Sequence, residues 1–170
     1  MSSIRRSVFL TLVLGLAMAA AYAADDPSTG SSGMGWYGWG VRLGVASDAD
    51  QVVGGAHVNF GEVANHLRFQ PDLQLGSGDD VTTLYGTAPL YYRFQRFGSG
   101  MTPYAGGGLA VGWVDYDAPP GFEDESDVEV GGKATGGVEW ERRDGAAMGV
   151  ELSLGFGDVH DVQVVGCWSF

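Results

Sequence analysis

The chain has 170 residues, 45% hydrophobic and 18% charged, with 29 glycines, 6 prolines and a formal charge of −12. That length leaves room for one domain, and the apolar share excludes a disordered chain. The 21 Asp and Glu against 9 Lys and Arg argue against a nucleic-acid partner, and a single cysteine, Cys167, excludes a disulfide framework and any CxxC metal or redox site.

At the N-terminus, Arg5 and Arg6 precede an uncharged run from Ser7 to Ala24, within which Ala21-Tyr22-Ala23 supplies the small residues of a cleavage site. This predicts a secretory signal peptide over residues 1–23. Its apolar core is short for a retained transmembrane helix. Losing Arg5 and Arg6 would take the formal charge from −12 to −14. Residues 24–35, rich in Ser, Gly, Asp and Pro, read as a flexible leader.

From Trp36 to Phe170 the hydrophobicity alternates with period two, and turn-forming clusters interrupt it at fairly regular intervals. Eight strands are expected, over 36–46, 51–60, 66–75, 81–94, 102–115, 127–141, 147–157 and 162–170. Their lengths exceed the 5 or 6 residues usual in soluble sheets and suit the roughly 9–11 needed to cross a bilayer at a tilt. Pro71 and Pro89 interrupt neighbouring strands, remove ladder donors and predict a bulge there.

The two faces of these strands differ. One carries Trp39, Val41, Leu43 and Val45, then Val52 to Phe60, Leu67 to Leu75, Leu84 to Phe94, Ala105 to Trp113, Val128 to Trp140, Met148 to Phe156 and Val162 to Phe170 at every second position. None of its 42 positions is Asp, Glu, Lys or Arg, where the chain-wide 18% would place about seven or eight. The other face holds His57, His66, Asn59, Gln70, Gln74, Tyr85, Tyr91, Ser153, Gln163 and Cys167. Eight charges join them: Arg42, Arg68, Arg93 and Lys133 against Asp72, Glu129, Glu139 and Glu151.

Eight charges among many glycines give thin cover for a water-exposed surface. With the apolar face toward lipid, the balanced charges would form barrel-interior ion pairs. A sheet in lipid cannot leave an edge unpaired, so the expected fold is all-β: an eight-stranded antiparallel up-and-down transmembrane β-barrel over residues 36–170. Both termini are expected in the periplasm, with a girdle of Tyr37 or Trp39, Phe60, Tyr92, Phe94, Trp140, Trp168 and Phe170 at that end. Twelve of the 21 acids, and no Lys or Arg, then fall at the outer rim. Such a rim would concentrate divalent cations, centred on Asp115, Asp117, Asp124 and Asp127. An EF-hand is not formed there, because Pro119, Pro120 and Ser126 stand where that loop needs a ligand, a glycine and a glutamate.

Leu90-Tyr91-Tyr92-Arg93-Phe94, the run Thr102-Pro103-Tyr104-Ala105-Gly106-Gly107-Gly108-Leu109 and the final strand ending Trp168-Ser169-Phe170 carry a resemblance. The chain resembles the small eight-stranded outer-membrane barrels of the OmpA-like transmembrane, OmpX and opacity-protein type. The resemblance implies the outer membrane of a Gram-negative bacterium, contact with its lipid and lipopolysaccharide, and no cofactor. Trp168 and Phe170 would be the assembly signal read by the barrel-assembly machinery. The expected role is a structural or interaction scaffold rather than an enzyme. Two alternatives are a lipid-modifying enzyme of the lipid A deacylase or acyltransferase kind, for which Ser153, His160 and Asp161 are the nearest triad-like set, and a soluble lipocalin-like barrel with the apolar face turned inward.

Overall fold

The computed structural model describes residues 33–47, 50–96, 98, 100–116, 125–141, 146–159 and 162–170. The expected signal peptide and most of the expected leader lie outside them. Ten strand segments follow one another: β1 (Trp39–Ala46), β2 (Gln51–Val58), β3 (Glu62–Ala64), β4 (Leu67–Phe69), β5 (Asp72–Ser77), β6 (Val81–Arg93), β7 (Met101–Tyr116), β8 (Glu125–Glu141), β9 (Ala147–Gly157) and β10 (Val162–Ser169). Every pairing is antiparallel, and the sheet closes on itself where β1 meets β10, with Val41 opposite Trp168.

The ten segments make eight walls. β3 continues β2 around a bend at Gly61, whose φ of 80° is open to glycine without strain. β4 and β5 are one strand. Phe69 faces Leu90 and Asp72 faces Thr87, so the register runs through residues 70 and 71 without a slip. The bulge expected at the prolines is therefore absent. Pro71 and Pro89 only remove N–H donors from the ladder, while their carbonyls still accept from Val58 N at 3.0 Å and Gln70 N at 3.4 Å.

The outward face is apolar, with Leu109 72% exposed and Leu43, Val45, Val52, Leu75, Val130 and Phe156 all more than half exposed. The inward face buries Arg42, His57, Arg68, Gln70, Asp72, Gln74, Tyr85, Tyr91, Glu139, Glu151, Ser153, Gln163 and Cys167. A lipocalin-like barrel needs the reverse. Two residues depart from the sequence expectation. His66 does not face inward but occupies the turn between β3 and β4 with φ 62°, exposed and edge-on to Tyr92. Phe60, expected in the outer girdle, is buried at 3% because Trp36 and Phe69 cover it.

Inward glycines make room for rings on the facing strand. An added Cβ at Gly112 would lie 2.2 Å from the Tyr85 ring, at Gly137 2.7 Å from Tyr104, and at Gly40 2.4 Å from His57, and each glycine is the register partner of that ring's residue. These three glycines thus serve packing inside a narrow barrel.

Candidate functional site

The inward side chains form two polar nets. Arg42 on β1 is the hub of the larger. Its Nη1 lies 3.0 Å from Glu151 Oε2 and 3.4 Å from Asp72 Oδ2, and its Nη2 donates to Glu151 Oε1 at 3.0 Å. Nε donates to His57 Nδ1 at 3.4 Å, which leaves the other ring nitrogen to donate to Ser169 Oγ at 2.9 Å. Tyr104 donates to Glu151 Oε1 at 2.6 Å, and Asp72 accepts from Thr87 and from Gln74 Nε2, the latter at 2.6 Å. From there amides carry the net along the barrel. Gln163 Nε2 donates to Gln74 Oε1 at 2.6 Å, and Lys133 Nζ donates to Gln163 Oε1 at 2.5 Å.

The smaller net lies at the mouth where the chain ends. Arg68 Nη1 and Arg93 Nη2 approach the two oxygens of Glu139, at 3.0 and 2.5 Å. Arg93 is 4.0 Å from Glu141, which pairs with Arg96. The Arg68 guanidinium also sits over the Tyr104 ring, 5.6 Å from its centre. Beside this net opens a cavity of about 330 Å³ lined by Tyr37, Asn59, Arg68, Arg93, Glu139, Glu141, Ala147, Ser169 and Phe170. A gap of only about 10 Å³ lies deeper, between Arg68, Tyr104, Glu151 and Cys167. The opposite half of the interior holds Val81, Tyr85, Ala110, Val114 and Val159, a buried apolar cluster, and Val159 comes from the chain between β9 and β10.

The eight candidate interior charges are therefore divided. Arg42, Asp72 and Glu151 meet directly, and Lys133 joins them only through amides. Arg68, Arg93 and Glu139 meet separately, and Glu129 accepts from the Tyr85 hydroxyl. Tyr104 and Thr87 were not among the candidates, although both complete the Arg42 net. Their inward parity on β7 and β6 is the signal that finds them, since outward Leu109 and Ala88 fix the phase of each strand. Ser153, the serine of the triad-like set, is 3% exposed and shares a hydrogen bond with Thr135 Oγ1 at 2.8 Å. His160 and Asp161 lie outside the described residues.

Of the candidate metal ligands, Asp115 and Asp127 lie on paired strands, Asp115 facing Ser126 and Asp127 facing Val114. Asp127 Oδ1 accepts from Val128 N at 2.8 Å. Asp117 and Asp124 lie outside the described residues, among which no cluster of three or more metal-ligating side chains is found. At the seam, Trp168 lies between Val41 and Met148. Phe170 N donates to Trp39 O at 2.8 Å, and the two rings pack at 5.3 Å.

No protein-family model and no curated protein matches the chain. Among solved structures it is similar to the N-terminal β-barrel domain of Pseudomonas aeruginosa OprF, with a TM-score of 0.64 at 14% identity over 79% of this chain and 97% of that one. It is also similar to Neisserial surface protein A, with a TM-score of 0.55 at 17% identity over 77% of this chain and 89% of that one. At such identities the likeness speaks to fold, and the fold is that of the small eight-stranded outer-membrane barrels.

Proposed function

We propose that this chain is a structural and interaction scaffold of the Gram-negative outer membrane, exported by its signal peptide and inserted through recognition of Trp168 and Phe170 by the barrel-assembly machinery. The observation that carries the reading is the inversion of its faces: Leu109 is 72% exposed and Phe156 60%, while Glu151 is 1% exposed and Arg42 4%. Lipid tolerates that exterior, and closure satisfies the backbone groups that lipid cannot. The interior is a plug of paired charges, rings and amides. At the opposite end from the chain terminus, the acidic loops around Asp115 and Asp127 concentrate divalent cations and, through them, lipopolysaccharide phosphates.

Gel mobility of membrane fractions tests the placement. A folded barrel in the outer-membrane fraction migrates differently before and after boiling. A soluble periplasmic protein without a shift overturns the reading. Calcium titration tests the rim, and binding unchanged when Asp115, Asp117, Asp124 and Asp127 all become Asn removes that part of the proposal.

A further inference from the structure

We propose that the barrel mouth beside Arg68 and Arg93 is a binding site for a small oxyanion, a phosphate or carboxylate group. Two guanidiniums here share one carboxylate: Glu139 takes Arg68 on one oxygen and Arg93 on the other. Glu141 does not restore the balance, since it pairs with Arg96 and stays 4.0 Å from Arg93. A guanidinium carries five N–H donors in a rigid plane. The Nε groups of both Arg68 and Arg93 are buried and have no hydrogen-bond partner. The Arg68 side chain is only 10% exposed.

Buried unfilled donors are uncommon and call for an acceptor. Both arginines line the cavity of about 330 Å³, which has space for such a group, and Asn59 and Ser169 place neutral polar groups on the same wall. Slight rotation of either guanidinium toward the cavity would offer a planar fork to an oxyanion, the geometry in which arginine binds carboxylate and phosphate most strongly. The site depends on the interior geometry alone and stands whether or not the outer rim binds cations.

The test uses the full chain folded in zwitterionic micelles. Sodium phosphate is titrated at constant ionic strength against chloride, and the arginine Nε–H resonances are followed by NMR. Saturable shifts at Arg68 and Arg93 are expected, with affinity weakened about tenfold in Arg93→Gln, the loss of a charge-assisted hydrogen bond. Arg96→Gln frees Glu141 to pair with Arg93 and should weaken binding as well. Acetate in place of phosphate separates the carboxylate from the phosphate form, and micelles doped with phosphatidylglycerol separate a lipid headgroup from a free ion. Unchanged gel mobility of Arg93→Gln before boiling shows that the variant is folded. Shifts that fail to saturate with every anion, or saturate equally in folded Arg93→Gln, overturn the proposal.

Discussion

Arg42 and Glu151, 109 residues apart on β1 and β9, meet inside the barrel through two contacts of 3.0 Å, both side chains almost wholly buried. Such a pair gains strong attraction in a low dielectric but forfeits the hydration of two ions. Glu151 is further held by the Tyr104 hydroxyl and Arg42 by Asp72. The pair therefore fixes which inward faces meet more than it adds net stability.

Arg42→Met strands two buried carboxylates and should cost about 3–5 kcal/mol. Adding Glu151→Leu to it leaves only Asp72, which keeps its bonds from Thr87 and Gln74, and should recover part of that loss. Urea titration of the folded fraction in lipid vesicles reads both variants. Equal losses in the single and double variants would show that the carboxylate left behind by Arg42 carries no penalty.

The glycines opposite inward rings give a sharper steric test. Gly112→Val would drive a side chain into the Tyr85 ring, which sits 2.2 Å from the added Cβ, and so disturb the Tyr85–Glu129 bond. Overpacking of this kind costs about 1–3 kcal/mol. At Gly136 an added Cβ meets nothing within 4 Å, so Gly136→Ala should leave stability nearly unchanged. If both variants lose alike, strand propensity rather than interior space governs these glycines.

Barrel class, strand number and most side-chain facings were legible because period-two alternation is a local property of each strand. Arg42 and Glu151 could each be placed inside from their neighbours Val41 and Val150. Which acid would meet which base was not legible, since pairing across the lumen depends on the relative height of strands and on ring volumes such as Tyr104. Phe60 and His66 were misplaced for a related reason. Gly61 bends the chain and the β3–β4 turn sets its own direction, so strand parity stops applying there.

Val159 is 6% exposed and packs with Val81, Ala110 and Val114. It reaches this cluster from the chain after Gly157, whose φ is 86°, and lies against Gly131 of β8, where an added Cβ would sit 3.0 Å from it. Val159→Asp would place an unpaired carboxylate among apolar side chains, at a cost that drives the segment outward. Planar-bilayer recordings should then show a higher conductance than for the parent chain. No increase would mean that the polar nets below, rather than this cluster, set the resistance of the lumen.

The seam between β1 and β10 depends on the last residue. Phe170 supplies the N–H bonded to Trp39 O and a ring 5.3 Å from Trp39. Truncation after Ser169 removes both. The fraction showing a boiling-dependent gel shift should fall in the membrane, with the remainder found as unfolded chain. Full recovery of the shift would show that the β1–β10 ladder from Gly40 to Ala46 closes the barrel unaided.

Leu109 and Ala110 are sequence neighbours with opposite surroundings, 72% and 1% exposed, near the middle of β7. In water, Leu109→Arg would be a mild surface change. In a bilayer the same arginine sits near mid-depth, where it costs about 2–4 kcal/mol. Urea titration of Leu109→Arg in vesicles should show a loss of that size, and the loss should shrink for Phe156→Arg, which lies nearer a strand end and closer to the interface. An arginine at Leu109 that leaves stability unchanged in vesicles would mean that this face does not meet lipid, however apolar it is. The comparison thus separates a barrel that crosses the membrane from one that merely shares its fold.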